Sequence, residues 1–240
     1  IFGLTILVSF ITPAFFLSIT SEYFEFNKLY LFVVVTAAMA LLWVAKMFVE
    51  KRVYFAKSPA DFALLLVLVS FILSTLTSLD RTSSLFGSYG RWFPSLLGFI
   101  ALYFYYYAVS TNIDSARKIR ATLWSVSAGT AIPALFSLIN YFGLTVPFFN
   151  LLNQKGFLLS GSTVNLSTSL FVGLAVSVSL AINLKTPLKK GVALAVSVLD
   201  FIALTIFGGV AFIVAAILLI GFAILRSPGE NVSKSKIFLF

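Results

Sequence analysis

Apolar runs of membrane-spanning length follow one another along almost the whole chain, separated by short polar intervals. A transmembrane α-helix needs about 20 consecutive apolar residues. The last apolar stretch, residues 191–225, contains one charged residue and is too long for a single span. Gly208-Gly209 at its midpoint favours two helices joined by a tight hairpin; the alternative is one long tilted helix. We therefore predict about eight spans, over residues 1–20, 29–49, 60–78, 94–110, 121–142, 163–184, 191–207 and 210–225.

The composition supports the same class. Hydrophobic residues make up 60% of the 240 residues and charged residues only 10%, whereas a soluble domain carries roughly 25% charged residues. Eight helices leave about 80 residues for loops, which excludes a large extramembrane domain. We predict an all-α, polytopic transmembrane helical bundle that forms one domain over residues 1–240. Because the chain begins at Ile1 and ends in the apolar segment 237–240, we expect it to be a fragment of a longer protein.

The absence of two residue types limits the catalytic and metal-binding groups that this chain can supply. The chain contains no His and no Cys, which excludes disulfides, thiolate nucleophiles, Ser-His-Asp triads and the usual zinc, haem and iron–sulfur ligands within it. Its eight acidic residues are scattered, so we predict neither a metal nor a cofactor. The net charge of +9 is compatible with nucleic acid, but in so apolar a chain it favours loops that face anionic membrane lipids.

The basic residues are distributed unequally between the two sets of loops. If the amino end is cytoplasmic, 13 of the 17 Lys and Arg residues fall on the inside and 4 on the outside. Such a bias over short loops is a strong orientation signal. We predict a multi-pass protein of the bacterial inner (plasma) membrane with both ends in the cytoplasm. The four outer cations are Lys28, Arg81, Arg91 and Lys155.

The first long outer loop, residues 79–93, is a candidate anion site. Arg81 and Arg91 oppose the general charge bias, and a guanidinium group matches phosphate oxygens with its planar fork. Gly87 and Gly90 would let backbone N–H groups approach an anion. The alternative is that Asp80 pairs with one of the two arginines and merely shapes the loop.

The second long outer loop, residues 143–162, leads into the sixth predicted span. Ser162 or Thr163 is suited to cap that helix, whose amino end would then favour an anionic ligand. Lys155 adds a positive charge nearby. Capping alone also explains the Ser and Thr content, so both interpretations stay open.

Two features of the spans suggest other functions. Asp200 is the only acidic residue deep in a span, and an intramembrane carboxylate is a functional hypothesis by default. It would suit a transporter or channel, although it could also pair with an arginine or stay hydrogen-bonded. Gly173, Ser177 and Ala181 form a stripe of small residues, which favours close helix packing. That packing would serve either a non-catalytic membrane scaffold that binds partner helices or the protein's own bundle.

The two outer loops carry a resemblance to a known group. Ser78-Leu-Asp80, Ser84-Leu-Phe-Gly87 and Arg91, followed by Ser160-Gly161 and Asn165, resemble motifs of the O-antigen ligase and polymerase superfamily of bacterial envelope proteins. In this chain the family's Ser-Arg pair in a later helix is replaced by Phe207-Gly208.

The resemblance implies a metal-independent glycosyltransferase that acts on the outer face of the inner membrane. Its donor would be a lipid-linked glycan carried on undecaprenyl diphosphate. Arg81, Arg91 and Lys155 would hold phosphates, with Ser160 and Asn165 at the same substrate site, and the catalytic base would lie outside this chain. No nucleic acid partner is expected, and the sequence gives no oligomeric state.

Overall fold

The fold is taken from a computed structural model, which describes residues 1–17, 23–52, 58–88, 94–144 and 156–226. Over these residues the chain forms α-helices and one 3-10 turn, with no β-strand among them. The helices are α1 (Phe2–Ile11), α2 (Glu25–Glu50), α3 (Asp61–Leu76), α4 (Arg81–Phe86), α5 (Leu96–Asn112), α6 (Ala116–Tyr141), α7 (Thr163–Asn183), α8 (Pro187–Phe207) and α9 (Val210–Arg226), and the 3-10 turn Thr12–Ala14 follows α1.

The predicted class is confirmed at the level of helix type and hydropathy. Within the described ranges, α2, α6, α7 and α8 are long and apolar enough to cross a membrane. Three shorter apolar segments, Phe2–Ala14, Asp61–Leu76 and Val210–Ala223, accompany them. The described part of the chain is therefore an all-helical protein with four candidate membrane-spanning helices.

The stretch 191–225 is broken where the glycine pair predicts. Helix α8 ends at Phe207 and α9 begins at Val210, so the interpretation as one long helix is wrong. Both helices pack against α7. Helix α8 starts at Pro187, four residues before the predicted start, because a proline is tolerated in the first turn, where its missing N–H has no partner to lose.

The first apolar run does not form a single helix, which corrects the prediction for residues 1–20. Helix α1 ends at Ile11 and a 3-10 turn continues only to Ala14. Pro13 is the physical reason, because it cannot donate to the helix and its ring clashes with the preceding turn. The Lys28 ammonium group donates to the Pro13 carbonyl at 3.2 Å, so this interrupted end is tied to the start of α2.

Contacts between neighbouring helices place the helix ends on two sides of the bundle. Ring pairs and hydrogen bonds join matching levels of adjacent helices: Phe32 with Tyr105, Lys46 with Asn112, Phe71 with Phe99, and Ser167 with Phe207. We call the end that holds Lys46, Lys118 and Lys190 the basic end. The opposite end, which holds Lys28, Arg81 and Asn165, is the loop end. The described residues of the two long predicted outer loops lie at the loop end.

The core of the bundle lies between α6, α7 and α8, and it contains buried polar side chains beside its apolar cluster. The Ser197 hydroxyl donates to the Ser177 hydroxyl at 2.9 Å across the α7–α8 contact, and Ala181 packs with Ala193 nearby. Gly173 lies so close to α6 and α8 that a side chain there would overlap Thr130 and Asp200. The predicted stripe of small residues therefore packs inside the protein's own bundle.

Candidate functional site

Of the five predicted substrate-binding residues, Arg81, Ser160 and Asn165 are described. Arg91 and Lys155 lie outside the described residues. Arg81, Ser160 and Asn165 are all at the loop end, as the sequence predicts for residues of the two long outer loops. The described part of the candidate site comprises the segment before α7 and the short helix α4.

Residues 156–162, here called the lead segment, join directly to α7. The Ser162 hydroxyl accepts a hydrogen bond from the Asn165 backbone N–H at 3.1 Å, which confirms the predicted cap. The Asn165 side chain donates in turn to the Glu25 carboxylate at 3.0 Å. The lead segment and the start of α2 are thus fixed to each other across 140 residues of sequence.

Lys28 makes a second connection between α2 and the lead segment. Its ammonium group donates to the Leu159 carbonyl at 3.4 Å as well as to Pro13. Gly161 has a φ of +87°, and an added Cβ would overlap the ring of Phe24. Only a residue without a side chain fits both the left-handed backbone and this contact. The lead segment is consequently held in place by its contacts with the start of α2 and by its direct connection to α7.

Ser160 lies inside this arrangement rather than on its surface. Its side chain is 2% exposed, and its hydroxyl oxygen has no hydrogen-bond partner among the described residues. A buried hydroxyl without a partner costs roughly 1–3 kcal/mol, so such groups are rare in native structures. Ser160 is thus enclosed at the loop end, and its predicted part in substrate binding stays a prediction.

The first outer loop contains a short helix that the sequence analysis did not predict. Asp80 caps α4, because its carboxylate accepts hydrogen bonds from the Ser83 N–H at 3.1 Å and the Ser83 hydroxyl at 2.6 Å. The hydrogen bond from the Ser83 hydroxyl, followed by the one from the Ser83 N–H, lowers the pKa of Asp80. Asp80 therefore shapes this loop as a helix cap.

Arg81 follows this cap and is exposed on α4. The alternative that Asp80 pairs with Arg81 is wrong, since the carboxylate is engaged by Ser83 and no Asp80–Arg81 ion pair forms. The other alternative, a pair between Asp80 and Arg91, involves a residue outside the described ranges. Arg81 thus keeps a solvent-facing guanidinium at the loop end.

The two halves of the candidate site lie on different helices. Helix α4 packs on α3 and α5, whereas α7 packs on α6, α8 and α9. The structure therefore places Arg81 and the lead segment at the same end without bringing them into contact. Glu25 and Lys28 are part of the lead-segment connection and were not predicted as site residues. The available signal was their position in a polar interval, residues 21–28, between two apolar runs.

Asp200 occupies a separate, deeply buried position on α8. Its side chain is 0% exposed. The nearest donor is the Thr130 hydroxyl, 3.5 Å from one carboxylate oxygen, but that hydroxyl lies closer, at 3.1 Å, to the Ser127 carbonyl. The other carboxylate oxygen has no partner among the described residues. The Asp200 carboxyl group is therefore enclosed and poorly satisfied, with no cation beside it in the described part of the chain.

Comparison with known protein families, curated proteins and solved structures finds no match to this chain. Among the described residues, no three acidic side chains come close enough together to hold a metal ion.

Proposed function

We propose that this chain is a multi-pass protein of the bacterial inner membrane that binds a glycan linked to undecaprenyl diphosphate, in the manner of the O-antigen ligases and polymerases. Binding would take place at the loop end, which faces the outside of the cell in this proposal. The chain would take part in metal-independent transfer or polymerisation of the glycan.

The observation that carries this proposal is the environment of Ser160. A buried hydroxyl without a partner lies in the lead segment, directly before the amino end of α7. Backbone N–H groups at such an end favour anionic ligands, and Arg81 supplies an exposed cation at the same end. Most of the cations lie at the basic end. The few cations at the loop end are therefore candidates for binding an anionic ligand. The test is whether an Arg91→Ala variant still transfers glycan.

The proposed topology has eight spans, α1–α3 and α5–α9, with both ends of the chain in the cytoplasm. Four of these helices are by themselves long and apolar enough to cross a membrane. The other four are shorter, but α1, α3 and α5 pack against neighbours that run between the same two ends. The basic end would face the cytoplasm, in agreement with the positive-inside rule.

Cysteine labelling tests this topology, because the natural chain contains no Cys. Thr82→Cys on α4 and Thr186→Cys before α8 are matched, since both threonines are exposed and lie at opposite ends of the bundle. In intact cells we expect a membrane-impermeant maleimide to label Thr82→Cys and to spare Thr186→Cys until the membrane is opened. Labelling of Thr186→Cys in intact cells would contradict the proposed orientation.

The enclosed carboxyl of Asp200 favours a second candidate function, a transporter or channel that moves a cation through the bundle. A poorly satisfied carboxyl at membrane depth is costly, with about 2.5–3.5 kcal/mol on insertion scales, and Thr130 and Ser127 add oxygen atoms on the facing helix. Such a group is suited to bind and release a proton or a small cation.

Proton flux into liposomes tests this second candidate. In vesicles that contain a pH-sensitive dye, we expect the natural chain to dissipate an imposed pH gradient and Asp200→Asn to lose that flux, because the amide cannot exchange a proton. Asp114→Asn is the matched control, since Asp114 pairs with Lys118 at 2.7 Å at the basic end. Equal flux by the natural chain and Asp200→Asn would eliminate the transporter function.

A further inference from the structure

An apolar groove opens between α7, α8 and α9 in the half of the bundle next to the basic end. Its volume is about 430 Å³, within the range of roughly 300–1,000 Å³ that is usual for ligand pockets. Nine of its ten lining side chains are apolar. The lining includes Val178 and Ile182 on α7, Leu194, Val198 and Phe201 on α8, and Ile220 on α9.

The one polar lining residue does not make the groove polar. The Ser197 hydroxyl donates to Ser177 at 2.9 Å and lies 2.8 Å from the Ala193 carbonyl, so its hydrogen-bonding capacity is used inside the bundle. Helix α9 packs more extensively on α7 than on α8, which leaves the space between α8 and α9 open. A flexible hydrocarbon chain is complementary to a groove of this composition.

A cluster of cations lies where the groove reaches the basic end. Lys190 is one helical turn before Leu194, so it extends the same face of α8 that lines the groove at Leu194 and Val198. Lys185 and Lys189 flank the same turn, and all three lysines are exposed. Residues 183–190 contain no acidic residue. Lysine ammonium groups at this level are suited to reach the interface and bind phosphate.

We propose that this groove binds an anionic phospholipid of the leaflet at the basic end, with an acyl chain between α8 and α9 and the phosphate on Lys190 and its neighbours. The apolar lining selects for hydrocarbon, and the charge of the cluster selects for an anionic headgroup over a zwitterionic one. The site lies at the opposite end from the lead segment, so it is independent of the proposed glycan site and stands if that proposal fails.

Retention of lipid by the full chain tests whether the lysine cluster selects an anionic headgroup. The chain is purified in detergent with equal amounts of phosphatidylglycerol and phosphatidylcholine of the same acyl composition, and bound lipid is counted by native mass spectrometry. We expect the natural chain to retain phosphatidylglycerol preferentially. Lys190→Gln should lower this preference about fivefold, as expected for one interfacial lysine, whereas Lys190→Arg keeps it. Lys51→Gln, at the basic end of α2, is the control and should change nothing.

A pair of tryptophan variants tests whether the lipid occupies the groove. Val198 lines it and is 57% exposed, whereas Val192 is 48% exposed on the same helix without lining it. We expect Val198→Trp to displace the bound phosphatidylglycerol and Val192→Trp to retain it, with both variants folded. Equal retention of the two lipids by the natural chain, or the same retention by both tryptophan variants, would overturn the proposal.

Two further arms of the experiment test whether something other than a phospholipid accounts for binding at the groove and its lysines. If soluble glycerol phosphate displaces phosphatidylglycerol as well as an excess of the lipid does, the cations bind phosphate alone and the acyl site is refuted. If phosphatidylglycerol binds only after deletion of residues 227–240, the chain's own carboxyl-terminal segment fills the groove and the proposal is likewise refuted. Unchanged lipid binding in both arms supports it.

Discussion

Replacement of Gly173 by leucine is expected to prevent assembly of the α6–α7–α8 core. A Cβ at this position would already overlap the Thr130 hydroxyl and the Asp200 carboxylate, and both are side chains that the surrounding helices enclose. Overpacking of a close-packed core costs about 1–3 kcal/mol and sometimes more. A leucine side chain must also separate the polar groups that meet here, so we expect a loss of about 3 kcal/mol or more in the free energy of unfolding.

The matched control is Gly221→Leu on α9, where nothing lies within 4 Å of an added Cβ. The two variants carry the same substitution on apolar helices and differ in what surrounds the glycine. Thermal unfolding in detergent, followed by size-exclusion chromatography, should show a Tm lowered by about 10 °C or an aggregated product for Gly173→Leu only. An unchanged Tm for Gly173→Leu would mean that α7 does not approach α6 and α8 this closely.

Local sequence was sufficient to predict the helical class and the break at Gly208-Gly209, because the class depends on hydropathy and the break depends on the glycine pair and the length of the apolar run. The apolar runs are long, and Gly208-Gly209 lies at the midpoint of a run that exceeds the length of one span. The position of the first helix end was not predicted in the same way. Pro13 lies inside the first predicted span, but α1 ends at Ile11, and the Pro13 carbonyl accepts a hydrogen bond from Lys28 on α2.

Contacts between distant segments could not be predicted from a single sequence. Asn165 was singled out as a substrate residue, and nothing near it in sequence indicates that it donates to Glu25. Likewise, Asp200 had no visible partner, because Thr130 lies 70 residues away on α6. The local signals, such as the Ser162 cap, were confirmed. The candidate site therefore divides into local features that sequence patterns contain and tertiary contacts that they do not.

Arg91→Ala in the full-length protein is expected to abolish glycan transfer while leaving membrane insertion intact. Arg91 is outside the described residues, but Ser88 and Pro94 on either side of it belong to the loop that connects α4 to α5 at the loop end. A guanidinium group that grips a diphosphate makes two charge-assisted hydrogen bonds of about 1.5–3 kcal/mol each, so transfer should fall by about 100-fold or more. The readout is glycan transfer in cells whose only copy of the gene is the variant.

Three companion variants separate phosphate binding from other roles of this charge. Arg91→Lys keeps the charge but loses the planar fork, so we expect it to recover only part of the activity. Arg81→Ala removes the exposed cation of α4 and should weaken binding of a polyprenyl diphosphate to the purified protein. Arg52→Ala, at the basic end, should change neither readout.

If Arg91→Ala transfers glycan normally, the diphosphate is not held by this loop. If Arg91→Ala loses membrane insertion together with transfer, the arginine stabilises the fold instead. Loss of transfer with normal insertion and normal Arg52→Ala behaviour leaves recognition of the lipid diphosphate at the loop end as the role that accounts for all three results.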